Sequence, residues 1–289
     1  METSSISELD RCPDIRFGDF ARKYQKLGVP VILPTLCQHW PAMQSWSLDA
    51  LEAKLGDRIV HYAGEDIAFS AVIERIRAAD RGHPQPYFNE NHLYRVFPEL
   101  LADVAPLPGN RHNRLSSKLL PSWNKYRDGV PEMLIAGTGT YFPVLHFDLH
   151  RFQAFITQIR GDKEFTLFPP DQGEYLYPRP EKTNLSQIVC FDPVDLQRFP
   201  LFAKAKPLRF VLREGETLFI PDGWWHYTRI LSSSIAVTWN SVSASNWPRH
   251  TDEFYFGEVK PQPVKDLLKR LYLRALGLGF RLREALVPP

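Results

Sequence analysis

The sequence changes its residue pattern near residue 131, and this change restricts the fold more than any other feature. From there to residue 240, short runs of β-branched and aromatic residues alternate with polar residues, and glycine or proline separates the runs. Such alternation is typical of half-buried β-strands. Several short antiparallel strands favour a sandwich or a barrel. We expect strands at 152–160, 163–168, 208–213, 216–220 and 234–240, with Gly161-Asp162 as a hairpin turn between the first two.

Residues with helical spacing flank the strand region on both sides. The pattern predicts helices at 15–27, 48–55, 67–79 and 98–104, with Ser47 as an N-cap and a strand at 29–34. Residues 263–286 then form an amphipathic pattern whose apolar stripe holds Val264, Leu267, Leu268, Leu271, Ala275, Leu278 and Leu282. We therefore expect a mainly β fold with flanking helices and N-terminal α/β elements. It comprises one domain over 1–258 and a C-terminal helical tail over 259–289.

Composition excludes several classes of protein. The 289 residues include 35 Lys plus Arg and 33 Asp plus Glu, so the net charge of +2 gives no strong signal for nucleic-acid binding. Cys12, Cys37 and Cys190 are too few and too far apart for a disulfide framework or a zinc site. The polar N-terminus lacks the pattern of an export signal, and no apolar run is long enough for a transmembrane segment. We expect a cytoplasmic protein.

A His-x-Asp pair, His146 and Asp148, lies where we expect a strand. Side chains two residues apart on a strand point to the same face, so both could reach one ion. The pair alone is a weak signal, because so short a motif is common by chance.

A second histidine strengthens the signal. His226 follows Gly215 and the tight turn Pro221-Asp222-Gly223, which places it near the start of a strand. Two imidazoles and one carboxylate on one side of a metal form the triad that selects Fe(II) and leaves positions open for oxygen chemistry. Lys163 could pair with the far carboxylate of a keto-acid cosubstrate, although a solvated lysine at the hairpin end is the simpler interpretation.

These residues, together with Gln158 to Lys163, Leu167 to Gln172 and Trp224-Trp225-His226, resemble the JmjC-domain (cupin-like) 2-oxoglutarate oxygenases. Within that family the sequence is most similar to the asparaginyl hydroxylase that acts on hypoxia-inducible factor. The resemblance implies a double-stranded β-helix (jelly-roll) fold. It also implies Fe(II) held by His146, Asp148 and His226, 2-oxoglutarate bound through Lys163 with Tyr87 and Asn240 nearby, and dioxygen as the oxidant.

Two positions depart from the family pattern. Pro143 stands where related enzymes often have a hydroxyl residue that binds the cosubstrate, and Phe152 stands where an asparagine is common. We expect Thr140, Thr157 or Gln153 to supply the missing polar group.

The resemblance implies a dioxygenase that hydroxylates a C–H bond, and we expect that bond to belong to an amino-acid side chain of a protein or peptide. A small-molecule oxygenase and a catalytically inactive binding module are the alternatives. The C-terminal helix predicts a homodimer that buries its apolar stripe, and its basic face also permits attachment to a membrane surface.

Overall fold

The computed structural model describes residues 8–90, 93–109, 113–120, 131–189, 191, 193–257 and 263–286. The predicted boundary between 258 and 259, Cys190 and the first residues of the chain lie outside this part. Cys12 and Cys37 are free thiols.

Two antiparallel sheets form the centre of the fold. The strands are β1 (Val31–Leu33), β2 (Ile59–Tyr62), β3 (Glu65–Ala68), β4 (Phe88–Glu90), β5 (Glu132–Ala136), β6 (Gln153–Arg160), β7 (Lys163–Phe168), β8 (Leu208–Leu212), β9 (Thr217–Ile220), β10 (Trp225–Ile230) and β11 (Ser234–Ser241). The six-stranded sheet has the order β1-β9-β6-β11-β5-β4, the three-stranded sheet has the order β10-β7-β8, and β2 pairs with β3 in a separate ribbon.

Helices flank the sheets at both ends of the chain. Those described are α1 (Phe17–Phe20), α2 (Ala42–Ser45), α3 (Leu48–Leu55), α4 (Phe69–Ala78), α5 (Leu93–Val96), α6 (Trp247–Phe256) and α7 (Pro263–Leu286). A π-turn extends α1 to residue 25, and residues 98–104 form a 3-10 helix. The Ser47 side chain caps α3 as predicted. The helix predicted at 67–79 begins two residues later, because Ile67 belongs to β3 and pairs with β2.

The predicted hairpin is wrong. β6 pairs with β11 and β9 in the large sheet, whereas β7 pairs with β10 and β8 in the small sheet. Gly161, at φ 72°, carries the chain from one sheet to the other, and a Cβ on it would lie 2.3 Å from the Ser233 carbonyl oxygen. A two-residue turn that contains glycine can form either a hairpin within one sheet or a corner between two sheets. The local sequence therefore could not distinguish these two connections. This corner gives the jelly-roll arrangement that the resemblance implies.

All of β6 except its last residue is buried, because both faces of the large sheet are covered. On the outer face, Phe155 and Trp239 stack against each other and pack with Trp40, Trp46 and the apolar residues of α3 and α4. On the inner face, the apolar side chains of β6 and β9 pack against those of β7 and β8. The cavity described below lies between the sheets and is therefore held rigidly on both sides.

The C-terminal helix α7 has the predicted bounds but buries a different face. Leu273, Leu276 and Phe280 pack against Trp247 and Tyr255 of α6. Six of the seven residues of the predicted stripe are large hydrophobics that stay exposed on this helix. α7 thus has two apolar faces, one docked on the body of the protein and one open. None of the described helices is both long and apolar enough to cross a membrane.

Candidate metal centre and its cavity

His146, Asp148 and His226 come together as the sequence predicts. One ligand atom from each lies within 4.8 Å of the others. The His226 Nε2 to Asp148 Oδ1 distance is 3.8 Å, and the two imidazole centroids are 4.2 Å apart. Two nitrogens and one oxygen are a donor set suited to Fe(II).

The small sheet and an irregular segment beside it position these side chains. His226 is the second residue of β10, and His146 pairs with it through two backbone hydrogen bonds of 2.7 and 3.2 Å. The expected strand over 146–148 is not regular, because pairing ends at His146 and Asp148 precedes a short 3-10 turn, Leu149–Arg151. The convergence therefore depends on the isolated bridge between His146 and His226 and on a turn rather than on strand parity.

The hydrogen bonds of the two imidazoles leave one nitrogen of each ring available. His146 Nδ1 lies 3.0 Å from the Val144 carbonyl oxygen, and His226 Nδ1 lies 3.1 Å from that of Trp224. A carbonyl only accepts, so each Nδ1 carries the proton and each Nε2 presents a lone pair. Burial lowers the pKa of His146 to about 3 and that of His226 to about 4. Both rings are thus neutral near pH 7, as metal binding requires.

Asp148 is held differently. Burial raises the pKa of its carboxyl group, and nearby His146 lowers it to a smaller degree. No hydrogen bond joins this carboxylate to any of the residues that the structure describes. A bound cation would favour its ionised form, because opposite charge stabilises a carboxylate.

A cavity of about 370 Å³ opens in front of the three side chains. Phe142 stacks on His146 at 4.6 Å, and Ala154, Ile156 and Phe165 supply apolar wall. Such a volume suits a small dicarboxylate and part of a substrate.

Lys163 projects into this cavity from β7. It is only 2 % exposed, and burial lowers the pKa of its ammonium group to about 8. Its Nζ lies 5.7 Å from the centre of the Tyr87 ring. Because Lys163 is buried, the solvated-lysine interpretation is wrong. Within the described residues its ammonium has no carboxylate partner.

Tyr87 and Asn240 also line the cavity. The Tyr87 hydroxyl lies 3.1 Å from Thr228 Oγ1, and burial raises the pKa of the phenol. All six residues predicted from the sequence therefore face one space.

The predicted polar substitutes do not line the cavity. The Thr140 hydroxyl donates to the Gln85 carbonyl oxygen, Gln153 accepts from Gln25, and Thr157 bonds Thr217. Pro143 is exposed, whereas Phe152 does line the cavity wall.

Other polar residues that the sequence did not point to line the cavity: Asn89, Glu132, Thr228 and Thr238. Strand parity could have identified two of them. Thr228 stands two residues after His226 on β10, and Thr238 stands two residues before Asn240 on β11.

Comparison with known proteins agrees with this geometry. Residues 18–243 match the model of the cupin-like domain family. The lysine-specific demethylase JMJ30 of Arabidopsis thaliana is 31 % identical over 78 % of this chain and 53 % of its own length. The arginine-specific demethylase JMJ22 of the same plant is 28 % identical over 82 % of this chain and 47 % of its own. JmjC domain-containing protein D of Dictyostelium discoideum is 27 % identical over 80 % and 55 % respectively.

The chain spans about half the length of these three relatives. None of the three is named as an asparaginyl hydroxylase, so the narrower likeness is not confirmed. The family match covers most of the chain, and the donor set fits the Fe(II), 2-oxoglutarate and dioxygen that JmjC oxygenases use. The chain belongs to the cupin-like domain family, in its JmjC, 2-oxoglutarate oxygenase branch.

Proposed function

We propose that this protein is an Fe(II)- and 2-oxoglutarate-dependent oxygenase in which His146, Asp148 and His226 bind the metal. The observation that carries the proposal is the approach of one nitrogen from each imidazole and one carboxylate oxygen beside a cavity lined by a buried lysine, which has no carboxylate partner among the described residues. The ammonium of Lys163 would pair with the far carboxylate of 2-oxoglutarate, and Tyr87 and Asn240 would contact it.

When bound, the iron and 2-oxoglutarate supply the chemistry: dioxygen gives one oxygen atom to succinate, with release of carbon dioxide, and one to a substrate C–H bond. The protein residues orient these reactants. The neutral imidazoles present fixed lone pairs, Lys163 fixes the direction of the cosubstrate, and the apolar wall of Ala154, Ile156 and Phe165 excludes water.

We further propose that the substrate is an amino-acid side chain of a protein or peptide. Two relatives are named as lysine-specific and arginine-specific demethylases, and these names support a polypeptide substrate. The cavity also reaches the surface beside Asp148, where Leu149 lines it and is 54 % exposed. A side chain could therefore enter while its backbone stays outside.

Succinate release tests the activity. We expect Fe(II)-dependent conversion of 2-oxoglutarate by the wild-type protein and none by His146→Ala, with exposed His39→Ala as the control. Peptides with free and with methylated lysine or arginine then distinguish the two reactions. Hydroxylation adds the mass of one oxygen to the peptide, whereas demethylation removes one CH₂ and gives formaldehyde. Turnover of metabolites alone would favour a small-molecule oxygenase. No turnover and no stabilisation by 2-oxoglutarate would leave only a binding module.

We also propose that the open face of α7 forms a homodimer. Seven exposed large hydrophobics lie on this helix: Val264, Leu267, Leu268, Leu271, Tyr272, Leu278 and Leu282. The helix is about 36 Å long at 1.5 Å per residue, so the open stripe is long enough to pair with a second copy.

The double variant Leu267→Glu/Leu271→Glu should be monomeric by light scattering and remain folded, because both positions are exposed. An unchanged oligomeric state would refute the dimer. Vesicle binding that the double variant loses would instead assign this face to membrane attachment.

A further inference from the structure

The metal ligand Asp148 lacks the local support that the two histidines have. His146 and His226 are each oriented by a backbone carbonyl two residues away. The Asp148 carboxylate has no hydrogen bond to any residue in the described part of the chain, so the backbone around residue 148 sets its direction.

That backbone leads into an unusual turn. His150 has φ 58° and Arg151 has φ 53°, so two consecutive residues other than glycine adopt the left-handed conformation. Such residues stay in this region only when their surroundings hold them there.

Three side chains of α6 and its N-cap hold the turn. Glu253 accepts from the His150 backbone N–H at 2.6 Å and from Arg151 Nε at 2.8 Å. His250 Nδ1 lies 2.7 Å from the His150 carbonyl oxygen, and Asn246 Nδ2 donates to that of Arg151 at 2.7 Å. His250 is fully buried, and its Nε2 has no hydrogen-bond partner among the residues that the structure describes, which agrees with a neutral ring that donates through Nδ1.

The same contacts reach the other side of Asp148. The Arg151 guanidinium lies 4.5 Å from the centre of the Phe147 ring, and Phe147 stands between the two ligands His146 and Asp148. Glu253 thus fixes the backbone after Asp148 and, through Arg151, the side chain before it.

We propose that Glu253, with Asn246 and His250, is a positioning residue that orients Asp148 for metal binding. This inference rests on the proposed metal centre. Glu253 lies about one hundred residues from the ligand, and its carboxylate bonds His150 and Arg151 of the turn, so it acts through the backbone and not on the metal.

Cobalt(II) binding to the metal-free, full-length protein tests the proposal without turnover. Glu253→Ala should weaken Co(II) binding about tenfold to a hundredfold, which is typical of losing a residue that orients a ligand. It should also alter the visible Co(II) spectrum, which reports coordination geometry. Glu253→Gln should recover part of the affinity, because its amide oxygen can still accept from the His150 N–H.

Asp252→Ala is the matched control, since Asp252 is the preceding carboxylate on α6 and pairs with exposed Arg270. Circular dichroism tests whether each variant is folded. If Glu253→Ala is not folded, Glu253→Gln takes its place in the comparison with the wild-type protein. Unchanged affinity and spectrum in Glu253→Ala, or equal losses in Asp252→Ala, would overturn the positioning role alone. Absence of Co(II) binding by the wild-type protein would overturn the metal centre and, with it, this role.

Discussion

Replacing Lys163 by methionine should have opposite effects on the stability of the protein with and without 2-oxoglutarate. Methionine keeps a long unbranched side chain but removes the charge. Lys163 is almost fully buried, and no described carboxylate pairs with it. The wild-type protein without cosubstrate therefore keeps an ammonium group away from water, and the Tyr87 ring, 5.7 Å from Nζ, compensates only in part.

The pKa of Lys163 gives the size of this penalty. Burial lowers it from 10.5 to about 8, and at 1.36 kcal/mol per pKa unit a shift of this size corresponds to about 3 kcal/mol. Below pH 8 the lysine is protonated in both the folded and the unfolded protein, so the full penalty applies. Between pH 8 and 10.5 the folded protein loses the proton first, and the penalty disappears. Without 2-oxoglutarate, Lys163→Met should be up to about 3 kcal/mol more stable than wild type at pH 7, and this difference should fall as the pH rises.

Addition of 2-oxoglutarate should reverse the order. A hydrogen bond to a charged group contributes about 1.5–3 kcal/mol, so the Kd for 2-oxoglutarate should rise about tenfold to a hundredfold in Lys163→Met. Urea denaturation of metal-loaded protein, with and without 2-oxoglutarate, measures both effects. Exposed Lys182→Met is the control and should show neither.

Two results would refute this reasoning. Equal affinity of wild type and Lys163→Met for 2-oxoglutarate would show that another group binds the far carboxylate. A variant less stable than wild type without 2-oxoglutarate at pH 7 would show that the ammonium already has a favourable partner.

Two further predictions concern the helices and the buried histidines. Gly277→Ala should destabilise the protein by about 1–3 kcal/mol, because the added Cβ would lie 2.4 Å from Trp247 Cδ1. The Cβ added by Gly279→Ala would meet no described atom within 4 Å, so this variant should stabilise α7 by up to about 1 kcal/mol. Thermal unfolding of both variants tests this, and equal shifts in Tm would contradict the packing of Gly277 on Trp247. Burial lowers the pKa of His226 and His250 to about 4. In the metal-free protein neither histidine reduces the free energy of unfolding above pH 6.5, but each reduces it by about 1.4 kcal/mol per pH unit from there down to pH 4. The free energy of unfolding, measured by urea denaturation at pH 7 and 5, should depend less on pH in His250→Gln than in the wild-type protein. An unchanged pH dependence would refute this.

The sequence predicted the candidate metal ligands better than the connections between strands. His146, Asp148 and His226 could be proposed because few residue types bind a metal and because the motifs around them resemble a known family, although the His-x-Asp pair alone is a weak signal. Strand pairing depends on which strand lies alongside, and Gly161 permits either a hairpin or a corner. The alternation of apolar and polar residues identifies a strand but does not identify the strand with which it pairs.

The apolar face of α7 shows a second limit. The sequence pattern identified one stripe on this helix, and it is the stripe that stays open. Leu273, Leu276 and Phe280 share another face, which docks on Trp247 because Gly277 allows a close approach. Two overlapping helical patterns in one segment give no indication of which face meets the protein body. Only the position of α6, which tertiary packing determines, decides between them.

The groups that orient the three candidate ligands lie at very different distances along the chain from the residues they orient. This difference explains why the sequence indicated the histidines more clearly than the surroundings of Asp148. The carbonyl groups that orient His146 and His226 lie two residues away and are present in any sequence. The contacts around Asp148 come from α6, about one hundred residues later, and need specific side chains. Trp247, which begins α6, packs on Phe280 of α7 and donates to the Leu273 carbonyl oxygen. The buried face of α7 therefore fixes the helix whose side chains hold the turn after Asp148, and the C-terminal helices are part of the structure that supports the candidate metal centre.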